Sequence, residues 1–225
     1  MSERFDEVIR DYLDFLAQQV GMYMDALSGF EGNVARVETQ VHRVTRPVSR
    51  KIENGMPVVV WSSYEDPSQP DVIHNRISRA EDYLAANGKT GMNEQQHARA
   101  ILIFLFTYWE DEIRPRLAAA AGVEPNRIKS DIHGDLRIVR HAVLHAKGKV
   151  RNEEHRRLKV LGPLITEEHQ ISLPIDVMQK IFVYVKQDCA RLLFEWLGIK
   201  DAPVQPDELR DLAIQFAPGH TRGAP

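Results

Sequence analysis

One short stretch of the chain carries more titratable chemistry than a solvated helix needs. The segment Asp135–Gly148, DLRIVRHAVLHAKG, places Arg140, His141 and His145 within six residues. Histidine is only a moderate helix former, and it titrates near neutral pH, so it can serve as a base or as an acid. Arginine offers a planar fork of donors that fits two phosphoryl oxygens. These residue types favour chemistry on a phosphodiester.

Cleavage of RNA needs a base, an acid and a positive charge. The 2′-hydroxyl attacks the adjacent phosphorus when a base removes its proton, and an acid protonates the leaving oxygen. His145 can fill either role, and Arg140 would neutralise the charge that grows on the phosphoryl oxygens. This chemistry requires no metal, so we expect no cofactor. On a helix Arg140 and His145 are about 140° apart, so the reach of arginine or a second chain must unite them.

A helical wheel of Asn126–Ala146 separates an apolar stripe from a polar one. The apolar stripe consists of Ile128, Ile132, Leu136, Val139 and Val143. The polar stripe follows at four-residue steps and consists of His133, Arg137, His141 and His145. Residues 129–159 hold nine Lys and Arg against four Asp and Glu, although the chain has a formal net charge of −3. This basic segment would attract phosphate, and its candidate RNA contacts are Arg137, Lys147, Lys149 and Arg151.

Two other interpretations of the polar stripe stay open. An Arg- and His-rich helix face is often only a solvated surface. His141 and His145 also have the spacing of the zinc-binding HExxH helix. However, Ala142 stands where that motif has its glutamate, and no third ligand is evident in the sequence.

Composition limits the setting in which this chemistry could occur. The chain has 225 residues, is 43% hydrophobic and contains a single cysteine, Cys189, which indicates a reducing compartment. The net charge excludes general affinity for nucleic acid, so RNA binding must come from a local patch. The most apolar run, Ala100–Trp109, is about half as long as a membrane span. We therefore expect a cytoplasmic protein with no membrane partner.

The spacing of apolar residues, caps and glycines predicts a helical bundle. Helices are expected over Arg4–Phe30, Asp71–Asn87, Asn93–Ala121, from a cap at Asn126 or Ser130 to Lys147-Gly148, over Arg151–Leu161, and from Pro174 to Gly198. Asn54-Gly55 between Val- and Ile-containing runs predicts a β-hairpin at about 43–64. We thus predict one all-α domain over 1–200 with an inserted hairpin, and a linker, short helix and flexible tail over 201–225.

The segment RHAVLH resembles the Rx4–6H signature of the HEPN superfamily, whose members are all-helical and often metal-independent ribonucleases. The longer DLRIVRHAVLHAKG resembles the HEPN form DLRxxRNxxxHxKG, and YWEDEIRPRLA resembles the preceding helix in a prokaryotic branch. The likeness covers roughly residues 93–197. It implies a HEPN-like antiparallel helical bundle in which Arg140 and His145 are the catalytic pair. His141 takes the place of a residue that is more often asparagine, and its part in catalysis is open.

The resemblance also implies partners and a cellular role. HEPN domains typically dimerise with their two motifs facing one cleft, so a homodimer would solve the angular problem of Arg140 and His145. The expected activity is endoribonuclease cleavage that leaves a 2′,3′-cyclic phosphate, in a toxin or phage-defence effector with a possible antitoxin or defence-system partner. The alternative is a non-catalytic HEPN module that binds RNA, a nucleotide or a protein. Glu110 could orient His145 or Arg140, or it could simply pair with Arg114 at helical spacing.

Overall fold

The computed structural model is mostly helical and describes residues 3–48, 58–63, 68, 74–167 and 169–199. Its elements are α1 (Phe5–Val48), β1 (Val58–Ser63), β2 (His74–Arg79), α2 (Ala80–Asn87), α3 (Met92–Tyr108), a π-helical turn (Trp109–Ile113), α4 (Arg114–Ala121), α5 (Asp131–His145), α6 (Asn152–His155) and α7 (Ile175–Trp196), with 3-10 turns at Pro125–Arg127 and Gly162–Leu164. The predicted all-α class is confirmed. Over the described ranges, no helix has the length and apolarity that crossing a bilayer would require.

Contacts divide the chain into two compact units. One consists of the start of α1, up to Gly21, together with the chain from Ala98 onward, and the other consists of Met22–His97. The single domain over 1–200 stays a prediction. The linker, helix and tail over 201–225 fall outside the described residues. All the candidate site residues belong to the first unit.

The core of the first unit is formed by apolar faces that the sequence identifies. Ile132, Leu136 and Val139 of the predicted α5 stripe are buried, whereas Ile128 and Val143 are partly exposed. Helix α7 contributes the buried side chains Met178, Ile181, Phe182, Val185, Cys189 and Leu192. Residues at three- and four-residue steps share one helix face, so each helix can bury one side while leaving the other wet.

The helix expected over Asn93–Ala121 is present but is widened in its middle. The Arg114 amide bonds to the carbonyl of Trp109, five residues back, which makes one π-helical turn between α3 and α4. Pro115 follows at once and has no amide to donate, and its ring would clash with a carbonyl of the preceding turn in a regular helix. The wider turn accommodates that proline. Gly122 then ends α4 with a φ of +66°.

His133 is the one member of the polar stripe that the structure buries in the core. Its ring is 2% exposed and stacks on the indole of Trp109, with 3.8 Å between centroids. Tyr12 Oη lies 2.6 Å from Nε2 and Ser130 Oγ lies 2.6 Å from Nδ1. A neutral imidazole has one donor and one acceptor nitrogen, so both partners are satisfied without a charge. The expectation that His133 shares the wet face of α5 is wrong.

The reason is a rotation that accumulates along the helix. A step of four residues turns about 40° past a full circle, so three such steps carry the stripe about 120° around the axis. His133 therefore points into the bundle, whereas His145 lies in solvent. Arg137 and His141 lie between them and are exposed as well.

The buried ring predicts a pH dependence of stability. Burial removes solvation and lowers the pKa of His133 from its ordinary value of 6.5. The unfolded chain then binds this proton more readily than the folded chain, so stability that is present above pH 6.5 is lost as the pH falls below it. In His133→Gln, which cannot titrate, urea unfolding should show a smaller loss of free energy between pH 6.5 and about 5. His169→Gln, on an exposed histidine, is the control. Equal losses in all three proteins would contradict the prediction.

The second unit contains the greatest departures from the predicted elements. Helix α1 runs to Val48 rather than ending at Phe30, because Val34, Val37 and Val41 continue its three- and four-residue spacing. Asn33 and Asn87 are joined by a side-chain hydrogen bond of 3.2 Å. The ring of Tyr23 stacks on that of His97, with 6.1 Å between centroids. This unit therefore places polar contacts between its helices as well as apolar ones.

The hairpin predicted at about 43–64 is wrong in its bounds. Residues 43–48 belong to α1, and β1 pairs with β2 in antiparallel register from Val58 opposite Arg79 to Ser63 opposite His74. The helix expected from Asp71 correspondingly begins at Ala80. Asn54-Gly55 falls outside the described residues. A turn dipeptide does not decide which runs pair, because pairing depends on the side chains that face each other across two strands.

Candidate active site

Helix α5 begins where the sequence provides a cap. Of the two predicted caps, Asn126 and Ser130, the structure uses Ser130, whose Oγ accepts a hydrogen bond from the backbone amide of His133 at 3.2 Å. Asp131 occupies the first turn, where a negative charge complements the positive end of the helix dipole. The beginning of α5 is therefore fixed locally, and with it the direction of every side chain along the motif.

The end of α5 is fixed by the Lys147-Gly148 part of the motif. The amides of Ala146 and Gly148 both donate to the carbonyl of Ala142, at 3.0 and 2.8 Å. Gly148 adopts a φ of +76°, a left-handed conformation that glycine tolerates best. The Gly148 carbonyl then accepts the amide of Ile171 at 2.7 Å. The chain thus turns away directly after His145, which leaves that imidazole at the helix end.

Asp135, the first residue of the motif, holds the segment that follows α6. Its buried carboxylate accepts the backbone amides of Lys159, Val160 and Leu161 at distances between 2.7 and 3.0 Å. Several donors that converge on one carboxylate form strong, charge-assisted hydrogen bonds. Asp135 therefore ties residues 159–161 to the side of α5, which is a positioning role that the sequence alone did not reveal.

His141 and His145 form an exposed pair on the solvent side of α5. They lie one turn apart, and their ring centroids are separated by 5.2 Å. Nδ1 of His141 lies 3.3 Å from a carboxylate oxygen of Glu154. The ring nitrogens of His145 make no hydrogen bond to any residue that the structure describes. Glu154 thus orients one imidazole, while the other stays open to a substrate.

Arg140 lies on a different side of α5. Its guanidinium carbon is 5.7 Å from the centre of the Phe106 ring, on α3. Its Nε is buried and has no hydrogen-bond acceptor within the described part of the chain. Arg140 and His145, both in the described range, make no hydrogen bond or ring contact with each other. The reach of the arginine side chain therefore does not bring the predicted pair together within one chain.

A groove of about 780 Å³ runs along the exposed side of α5, and we call it the α5 groove. One wall is the face of α5 that carries Arg137 and His141, and the other is the segment 154–159. The cationic lining consists of Arg137, Arg156, Arg157 and Lys159, and the acidic lining consists of Asp131, Asp135 and Glu154. The groove thus begins beside Asp131 and extends along α5 to His141, one turn before His145.

The four predicted RNA contacts occupy two places. Arg137 lines the α5 groove, whereas Lys147, Lys149 and Arg151 are exposed after the end of α5 and do not line it. Lys149 pairs through its backbone with Gln170. Sequence reasoning missed Glu154, Arg156, Arg157 and Lys159 as site residues. The signal was the high density of basic residues up to Lys159, but nothing local indicates which of them face α5.

Glu110 pairs with Arg114, which is one of the two roles considered for it. Arg114 Nη1 donates to both of its carboxylate oxygens, at 2.8 and 2.9 Å. The described residues form no hydrogen bond between Glu110 and Arg140 or His145. The preceding residue, Trp109, is buried against His133. The YWE segment thus contributes to packing and to a local ion pair.

The described residues contain no group of three or more His, Cys, Asp and Glu side chains that could hold a metal ion. Comparisons with known protein families, curated proteins and solved structures found no match to this chain.

Proposed function

We propose that the protein is an endoribonuclease that cuts RNA without a metal ion and leaves a 2′,3′-cyclic phosphate. The observation that carries the proposal is the exposed pair of imidazoles, His141 and His145, with ring centroids 5.2 Å apart. One imidazole takes the proton of the 2′-hydroxyl as its oxygen bonds to phosphorus. The other gives a proton to the 5′-oxygen as its bond to phosphorus breaks.

The positive charge that this reaction needs comes from arginine. Arg140 has a buried Nε without an acceptor among the described residues, and its guanidinium rests on an aromatic ring rather than on a carboxylate. A phosphoryl group could occupy the free donors of such a fork. Arg140 and His145 lie on different sides of α5, so we propose that each site combines Arg140 of one chain with the imidazoles of a second chain. A twofold dimer forms two such sites.

The cellular role follows from the resemblance of DLRIVRHAVLHAKG to the HEPN form. Its aspartate and its Lys-Gly end have clear tasks here, since Asp135 holds residues 159–161 and Gly148 reverses the chain. These contacts give physical reasons for residues of that form outside the catalytic pair. We propose a HEPN-like ribonuclease of the toxin or phage-defence kind, whose antitoxin or defence partner, if it has one, would control the site.

A second candidate function is RNA binding without cleavage. It is favoured by the position of Arg140 over Phe106, because a cation–π contact of this kind can stabilise the fold on its own. Binding of RNA with no product under any condition would support this candidate.

The test of the proposed activity is the chemistry of the product. Purified protein in EDTA should cut single-stranded RNA and leave a 2′,3′-cyclic phosphate, which mass spectrometry identifies. An RNA that carries 2′-deoxyribose throughout should stay intact, since it has no attacking hydroxyl. Cutting of the deoxy strand, or activity that appears only with added divalent metal, would contradict the proposal.

A further inference from the structure

We propose that the α5 groove is the track for the RNA backbone, with Arg137, Arg156 and Arg157 as its phosphate contacts. The proposal rests on the ribonuclease function proposed above and specifies how a strand reaches the imidazoles. Arg156 and Arg157 lie in the turn after α6 and were not among the predicted RNA contacts. The ligand is a single strand whose phosphates, rather than its bases, are bound.

The acidic side chains of the groove are already engaged within the protein. Asp135 accepts three backbone amides, Asp131 pairs with Lys159 at 2.7 Å, and Glu154 lies beside His141. In contrast, Arg137, Arg156 and Arg157 make no ion pair with any described residue, although all three are exposed. The groove therefore presents three uncompensated guanidinium groups, which is the charge pattern that a polyanion requires.

The wall that carries these arginines is held in place before any ligand binds. The bonds from Asp135 fix residues 159–161, and His155 Nε2 lies 2.6 Å from the carbonyl oxygen of Ile165. Arg156 and Arg157 stand between these two anchor points. A preformed wall loses less conformational entropy on binding, so its phosphate contacts contribute more to affinity.

The groove is continuous with the proposed catalytic pair. Arg137, His141 and His145 lie on successive turns, and eight residues of helix span roughly 12 Å from the first to the last. His141 lines the groove and contacts the ring of His145. A strand bound at Arg137 would thus be led along α5 toward the imidazoles, so the groove would supply affinity and the histidines the chemistry.

The test compares two triple variants that lose the same charge. Arg137→Gln/Arg156→Gln/Arg157→Gln removes the proposed contacts, whereas Arg127→Gln/Lys180→Gln/Lys186→Gln removes three exposed cations that do not line the groove. Fluorescence anisotropy measures binding of a 2′-O-methyl RNA, which cannot be cut, over a range of salt. The groove variant should bind about tenfold more weakly or worse. Its salt slope should fall by about 2, at about 0.7 for each lost contact to a single strand. The control should keep the wild-type slope.

Activity measurements separate this proposal from the proposed function. The groove variant should cut a dinucleotide, which is too short to use the track, at the wild-type rate, whereas its KM for long RNA should rise. Equal binding by both variants would overturn the track and leave the ribonuclease standing. Binding through the groove without any cleavage would support the track and overturn the ribonuclease. An acidic polypeptide that binds as tightly as RNA and is lost in the same variant would indicate a protein partner and overturn the track.

Discussion

His145→Ala reduces the rate of RNA cleavage by about 10²–10⁴-fold, the range expected when a general acid or base is removed. The side chain is exposed and makes no hydrogen bond to the described residues, so its loss should leave the fold intact. Gel analysis of labelled RNA in EDTA gives the rate, and thermal unfolding checks the fold. His169→Ala, on an exposed histidine outside the site, should retain full activity.

Arg140→Lys separates the two possible roles of the arginine within this first prediction. Lysine keeps the charge but not the planar fork, so we expect cleavage to fall strongly while RNA binding is kept. If Arg140 served only to pack over Phe106, the substitution would lower the unfolding temperature and leave the rate per folded molecule unchanged. Full activity of both His145→Ala and Arg140→Lys would reject the assigned site.

Asp135→Asn lowers the free energy of unfolding by about 3 kcal/mol, since a buried charged acceptor is replaced by a neutral one. The carboxylate oxygen Oδ2 alone receives the amides of Lys159, Val160 and Leu161. An asparagine can place only one oxygen there, and its NH2 group would face other donors wherever it turned. Some backbone amides would then be left without an acceptor, which is costly in the interior.

Urea unfolding monitored by circular dichroism measures this second prediction. Asp111→Asn changes an exposed carboxylate in the same unit and should alter stability by no more than about 0.5 kcal/mol. Because residues 159–161 form one end of the groove wall, Asp135→Asn should also weaken RNA binding under conditions where it stays folded. A stability change as small as that of the control would mean that Asp135 does not hold the wall.

The local features of α5 could be predicted from sequence because they depend on neighbours along the chain. A serine cap, an apolar stripe and a glycine end determine the bounds of the helix and which side is buried. His133 was misplaced because four-residue steps drift around the helix, so one stripe does not keep one environment over three turns. The hairpin was misplaced because its partner strand was chosen by a turn dipeptide rather than by the side chains that face each other.

The groove could not be predicted, since its contacts join residues that are distant in sequence. Asp135 bonds to an amide 26 residues away, at Leu161. Glu154 and His141 come from different helices, and no periodicity relates them. The sequence indicated a basic segment, but only the fold shows which acids are engaged and which arginines remain. The same holds for Arg140, whose direction depends on Phe106 of α3.

The central claim is that Arg140 of one chain and His145 of another form one site, and mixed dimers test it most directly. Arg140→Ala and His145→Ala should each be inactive alone. Co-expressed with separate tags, the two variants form dimers in which one of the two sites regains both residues. Random pairing should restore about a quarter of wild-type activity, all of it in the doubly tagged fraction. Activity that stays at the level of the single variants, in dimers shown to carry both tags, would contradict the claim.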